Sequence, residues 1–381
     1  MQKYVSLFIL FTTFEISALS NPSPAEKHYE NASAYHAIGE FEKAISEYKK
    51  AIAIDPNSSI IYNRLGIAYA ELKQYDAALD AYQTALALSP MTPEPHYNVG
   101  LVYLKKGSLP DATEAFKRAI AVNSEWEDAY AGLGEVYFKQ GNFEQAILAY
   151  NKAIRLNPND VGAILGLGKV YLKQNHLDEA ITAIERVIKI QGDSTEAYYQ
   201  LAQAYIKRGE KEKAASAMAF FKVLRQTDPL LQETEMWVKR HPKDARGYNN
   251  LGIVYLARRR FSDAIASYER AISLDPALAT AHYNLGHAYH KQQKIKLAIA
   301  AYRAALAVDT TLAIAHNNIA VCYIESESGL DKALLHARTA VQFAPTEANY
   351  WDTLSQTCTL NGLEDEARHA REKQKELSEE E

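Results

Sequence analysis

From residue 25 to the C-terminus, apolar residues recur at three- and four-residue spacing in blocks that come in pairs. That spacing places them on one stripe of a helix, so each pair predicts two amphipathic α-helices joined by a short turn. Pro56, Pro90, Pro158 and Pro276 each follow a second block, where proline stops a helix because it cannot continue the hydrogen-bonded ladder. Aligned on these prolines, the pairs repeat every 34 residues. "YNRLGIAYAELKQYDAALDAYQTALALSP" (62–90) lies over "YNNLGIVYLARRRFSDAIASYERAISLDP" (248–276) almost position for position. Ten units begin near residues 25, 59, 93, 127, 161, 195, 245, 279, 313 and 348.

Within a unit the first helix carries a large residue (Leu65, Leu133, Leu251, Leu285) and then a glycine (Gly66, Gly134, Gly252, Gly286). Three residues on stands a tyrosine (Tyr69, Tyr137, Tyr255, Tyr289). The second helix places alanine at Ala78 and Ala85, Ala146 and Ala153, Ala264 and Ala271. Small against large lets neighbouring helices interdigitate, so the 25 tyrosines are read as framework and not as an aromatic platform. A helix–turn–helix of 34 residues in ten in-phase copies resembles the tetratricopeptide repeat. The resemblance covers nearly everything after residue 20 and implies an all-α, right-handed α-α superhelical solenoid, whose units bury their faces only by stacking.

The period breaks once. Between the units starting at 195 and 245 stand 16 extra residues, "DPLLQETEMWVKRHPK" (228–243). Leu230, Leu231, Thr234, Trp237 and Val238 share one side of a helix that Pro229 could begin and Pro242 end. The organisation expected is one array over 25–228 (repeats 1–6), an inserted joint helix over 229–244, and a second array over 245–381 (repeats 7–10) closed by a capping helix. The insert either lies across the join or extends the preceding helix; Trp237 as a docking surface is the functional alternative. Repeat nine gains one residue in "ESESGLDKA", and repeat ten carries Cys358 where tyrosine is usual.

Residues 1–20 differ from the rest. Lys3, an apolar run from Tyr4 to Phe14, and Ala18 and Ser20 ahead of Asn21 describe a secretory signal peptide, with Glu15 its one blemish. The run is shorter than the roughly 20 apolar residues that span a bilayer. Export to the periplasm or exterior is therefore expected, with an uncleaved membrane anchor as the alternative. A net charge of −5 offers no attraction to nucleic acid or anionic membrane. Two cysteines, Cys322 and Cys358, exclude a disulfide framework and a multi-cysteine zinc site.

In the tetratricopeptide family, the second, fifth, sixth, ninth, twelfth and thirteenth residues of each first helix line a concave groove. Carried onto this chain, the sixth position holds Asn98, Asn250, Asn284 and Asn318, and the fifth Tyr97, Asn249, Tyr283 and Asn317. An asparagine amide matches a peptide group in donors and acceptor, so such a ladder could hold an extended backbone. Lysine fills the thirteenth position at Lys105, Lys139, Lys173, Lys207 and Lys291. These make a basic stripe that would prefer acidic segments, or cations answering the macrodipole of a helix C-terminus. The family's carboxylate clamp is not matched, because Tyr29 and Ser33 stand at its first two places. His287, His290 and Glu325 make a polar groove rather than a metal site, since no third ligand is clear.

No glycine-rich phosphate loop, nucleophile elbow or HExxH motif occurs, and the repeats leave no room for a catalytic domain. The reading is a non-enzymatic interaction scaffold without cofactor or metal, binding a peptide or partner protein in its groove. A membrane-anchored envelope assembly factor, or an accessory subunit of an enzyme complex such as a glycosyltransferase, is the alternative. The arginine run of "YNNLGIVYLARRR" falls at an inter-helix turn. Arg259 there stands where Gly107, Gly141 and Gly209 stand in other units, a place that favours positive φ on an exposed edge.

Overall fold

The computed structural model describes residues 22–379; the signal-peptide segment lies outside them. The described residues form α-helices and no strand, and fall into two compact units that meet in sequence at Pro158 and Asn159. In the first unit the helices are α1 (Pro24–Ala37), α2 (Phe41–Ile54), α3 (Ser59–Glu71) and α4 (Tyr75–Leu88). They continue as α5 (Pro93–Lys106), α6 (Leu109–Val122), α7 (Glu127–Lys139) and α8 (Phe143–Leu156). The second unit begins with α9 (Val161–Lys173), α10 (Leu177–Ile190), α11 (Thr195–Arg208) and α12 (Lys211–Arg240). It continues through α13 (Ala245–Ala257), α14 (Phe261–Leu274), α15 (Ala279–Lys291) and α16 (Ile295–Val308). The last four are α17 (Ala313–Glu325), α18 (Leu330–Phe343), α19 (Ala348–Leu360) and α20 (Glu364–Glu379).

Consecutive helices pack pairwise within each unit. What lets them approach is a glycine on the first helix facing a ring on the second. A Cβ on Gly66 would lie 2.5 Å from the Tyr82 ring, and one on Gly286 2.5 Å from Tyr302, closer than carbon atoms can sit. Gly100 and Phe116, Gly134 and Tyr150, and Gly252 and Tyr268 repeat the arrangement. The alanines of the second helices are fully buried, as expected: Ala78, Ala85, Ala146, Ala153, Ala264 and Ala271. Tyrosine is framework, but the heaviest share falls to a set the sequence reading passed over. Tyr48, Tyr82, Tyr150, Tyr268 and Tyr302 on the second helices are buried, while Tyr69, Tyr137, Tyr255 and Tyr289 are half-buried.

The turn between paired helices needs one left-handed residue. Gly107 and Gly141 supply it at φ 79 and 76°, and Arg259 does so at φ 59°. A side chain in that conformation costs roughly 1–2 kcal/mol. The extra residue of repeat nine is absorbed at its turn, where Glu327 and Gly329 both have positive φ.

At the period break there is no separate joint helix. Residues 229–240 are the C-terminal part of α12, which runs unbroken for 30 residues with Pro229 inside it; of the two arrangements expected, the extension is the one found. Pro229 withholds one backbone bond from the carbonyl of residue 225, and both residues are exposed. Pro242 does follow the end, one residue past the C-cap His241.

The register explains the length. Residues 211–224 stand 34 after α10, and residues 227–240 stand 34 before α14, so α12 is two second helices fused end to end. Its front half packs on α11, with Phe220 4.7 Å from Tyr198 between ring centres. Its back half serves α13, where Leu231 and Val238 meet Leu251 and Val254. Tyr255 donates to Glu235 at 2.8 Å, the relation that Tyr205 has to Glu185 (2.7 Å) and Tyr289 to Glu269 (3.2 Å). Trp237 lies on the start of α13, its indole N–H donating to Asp244 at 2.8 Å. Gly247 leaves it room, since a Cβ there would fall 2.8 Å from the indole.

The three arginines close this joint. Arg258 is 3% exposed, and its guanidinium donates to Asp193 (2.9 Å) and Asp228 (2.8 Å). It also donates to the carbonyls of Asp193 and Leu224 and to the Thr227 hydroxyl. Arg259 is exposed as expected but sits 4.4 Å over the Phe220 ring. Arg260 lies 4.3 Å over Tyr255 and pairs with Asp263. The run is therefore a clasp across α11, α12 and α13.

Candidate peptide-binding groove

The first helices α3, α5 and α7 of the first unit, and α9 to α19 (odd) of the second, carry the residues singled out from the sequence. The asparagines are engaged with one another. Asn98 donates its amide to Asn63 Oδ1 at 2.9 Å, 35 residues earlier. Asn284 does the same to Asn249 at 3.0 Å, and Asn318 donates to the Tyr283 hydroxyl at 3.2 Å, again across 35 residues. The sixth position of one repeat thus holds the fifth position of the repeat before it. Asn250 stands outside this ladder, because the residue 35 before it is Ala215 on the fused helix α12. It is exposed and makes no side-chain hydrogen bond among the described residues.

Two groups retain unused capacity. Asn317 is 7% exposed, and its Oδ1 has no hydrogen-bond partner; a buried acceptor left so costs about 1–3 kcal/mol. Tyr283 accepts from Asn318 while burial pushes its phenol pKa up, which keeps the proton on the hydroxyl. Tyr97 packs against Phe116 and Trp126, with ring centres at 5.7 and 5.4 Å.

The five lysines lie in the last turns of α5, α7, α9, α11 and α15 and are exposed. Lys207 donates to the carbonyl of Leu172 at 3.0 Å, serving the C-terminus of the preceding first helix. Lys139 pairs with Glu135 at 3.4 Å. His290 sits 2.7 Å from Glu325. Burial, helped by Lys291 and His290, pushes the His287 pKa down, so that ring stays neutral. No group of three His, Cys, Asp or Glu side chains able to hold a metal occurs among the described residues. Burial also pushes the thiols of Cys322 and Cys358 up, to about 12 and about 11, which keeps both protonated.

Residues 20–222, just over half of the chain, match the family model described as the cilia and flagella-associated protein 70 C-terminal domain. Residues 254–293 match a TPR repeat model and 279–311 a tetratricopeptide repeat model. This is a tetratricopeptide repeat protein. No curated protein matches it. Among solved structures it is similar to MamA, at 28% identity over 42% of this chain and 94% of that one, TM-score 0.38. It is similar to pilF of Pseudomonas aeruginosa, at 19% identity over 56% and 97%, TM-score 0.48. A third is YrrB, described as a TPR protein with an unusual peptide-binding site, at 20% identity over 61% and 95%, TM-score 0.34.

The tetratricopeptide register brings out a feature that the sequence reading missed. Six large apolar side chains on first helices are exposed: Ile60, Tyr199, Ile206, Ile253, Ile314 and Leu360. They stand at positions two, five, twelve, nine, two and thirteen of their repeats, and every one of those is a groove position in this family. Each is unremarkable in the sequence alone, because an isolated exposed isoleucine is common. Only exposure and register together separate them from the core.

Proposed function

We propose that this chain is a non-enzymatic scaffold whose first helices hold an extended peptide segment of a partner protein. The observation that carries this is the exposed apolar set at groove positions, five of whose six members lie in the second unit. Side chains left in water at the repeat's binding positions gain by contact with apolar side chains of a ligand, at roughly 25 cal/mol per Å² buried. Between them stand backbone-reading groups. Asn317 Oδ1 can accept a peptide N–H, the Tyr283 hydroxyl can donate to a carbonyl, and Asn250 offers both functions. The ladder of Asn98, Asn284 and Asn318 is chiefly a lock between repeats, so those side chains contribute to the ligand through the geometry they hold. Lys173 and Lys291 would favour a ligand whose flanks are acidic.

The groove is tested by Ile206→Asp and Ile253→Asp, exposed sites where charge does not disturb the core, with Leu297→Asp on α16 as control. Partners captured by the unaltered protein and identified by mass spectrometry are expected to be lost from both groove variants and kept by the control. Identical sets from all four proteins would count against the groove.

We also propose that the protein works after export, in the periplasm or outside the cell. The support is the basic start, apolar run and small residues before Asn21. No helix among the described residues is long and apolar enough to cross a membrane. N-terminal sequencing of the purified protein is expected to begin at Asn21; Met1 intact in a membrane fraction would favour the anchored alternative.

A further inference from the structure

The fusion of two second helices leaves one side of α12 without a neighbour. Ala217, Phe220, Leu224, Leu231 and Val238 are buried and form one side, on which α11 and α13 pack. At 100° per residue, Ala219, Lys222, Gln226, Leu230, Glu233 and Trp237 form the opposite side, and all six are exposed. Leu230 and Trp237 are 47% and 49% exposed, which is unusual for residues so large. One period later their counterparts on α14 are Ala264 and Ala271, fully buried beneath the repeat's own first helix, α13. The back half of α12 has no first helix of its own, and nothing in the second unit covers its outer side.

We propose that this side is covered by a second copy of the chain, with α12 lying antiparallel on α12 across a two-fold axis near Asp228. A two-fold contact must be complementary to itself, and this stripe is. Laid antiparallel in one register, Ala219 falls opposite Trp237, Lys222 opposite Glu233, and Gln226 opposite Leu230, each pair occurring twice. The smallest side chain meets the largest, and the opposite charges meet. A parallel arrangement would instead set Trp237 on Trp237 and Lys222 on Lys222. Pro229 and Leu230, exposed beside the axis, give the centre an apolar contact. Trp237 is already held in one orientation by its bond to Asp244 and by stacking on His241 at 4.1 Å. Little side-chain freedom is lost when a ring so fixed enters an interface, and aromatic anchors of this kind dominate binding energy.

Sedimentation equilibrium on the full chain over a range of concentrations tests this. The unaltered protein is expected at twice the chain mass. Ala219→Glu places a charge opposite the indole while changing only an exposed position to another good helix former. It is expected to halve the mass with an unchanged circular dichroism spectrum. Lys222→Glu is expected to shift the equilibrium towards monomer, and Glu233→Lys added to it to restore the dimer. A helix that merely tolerates charge changes would not show that restoration. A monomeric unaltered protein would overturn the proposal and hand the outer side of α12 to a helix from another protein. A dimer indifferent to Ala219→Glu, or a double variant no better than the single one, would overturn this face and register.

Discussion

Arg258→Ala is expected to lower the stability of the second unit by roughly 3–5 kcal/mol, read as a fall in the midpoint of urea unfolding. The size comes from what the change leaves behind. Asp193 is 5% exposed, and without the guanidinium it is a buried charge with no cation facing it but Arg260 at 3.8 Å. The carbonyls of Asp193 and Leu224 lose donors as well. Asp228 adds less, because its side chain is half exposed and water can replace the lost bond. Arg258→Lys should fall between, since an ammonium cannot reproduce a planar fork that serves five acceptors at once. Arg259→Ala removes one contact with the Phe220 ring at the surface, worth only about 0.5–1 kcal/mol, and relieves a left-handed residue of nothing. A loss of less than about 1 kcal/mol at Arg258, against that 3–5 expected, would show that the joint is held by apolar packing alone.

The second large effect is at Tyr268, which is fully buried over Gly252. Tyr268→Ala should cost about 3–5 kcal/mol, because the neighbouring helices cannot collapse into the space of a whole ring. Tyr268→Phe should do the opposite. The Tyr268 hydroxyl is buried with no hydrogen-bond partner, so removing it relieves a desolvated group, at about 1 kcal/mol or less in favour of the variant. Tyr150, at the equivalent place, donates to Glu135 at 3.2 Å, and Tyr150→Phe should lose stability where Tyr268→Phe does not. Thermal unfolding of the pair separates the two cases. A destabilised Tyr268→Phe would mean that its hydroxyl is satisfied by a bound water.

The array was readable from the sequence because its determinants are local and repeated. Nine of the ten expected starts coincide with the first residue of a helix, and the other is one residue off. A glycine facing a ring and an alanine at a helix crossing leave the same mark every 34 residues, so each copy supports the others. The joint left no such mark. Pro229 and Pro242 read as a start and a stop, yet only Pro242 acts as one. Whether a proline ends a helix depends on what packs on either side of it, here α11 and α13. Arg258 looked like a turn residue among turn residues, since its acidic partners lie 65 and 30 residues away. The groove was half readable. The asparagines were placed correctly on the first helices, but their bonds to one another depend on a side chain in the adjacent repeat. The exposed isoleucines became visible only once burial removed the rest of the apolar residues from consideration.

A clasp between residues 65 positions apart also bears on the order in which the chain folds. Ordinary contacts between neighbouring repeats here close loops of 35 residues, whereas Arg258 and Asp193 close nearly twice that. Each doubling of a loop adds about 0.6 kcal/mol of closure entropy, little beside the worth of the finished clasp but enough to place it after the local pairs. Contacts made after the rate-limiting step scarcely change how fast a protein folds and act almost wholly on how slowly it comes apart. In a row of repeats, which tends to open at its weakest seam, the arginine therefore works as a brake on unfolding at the one place where the period fails.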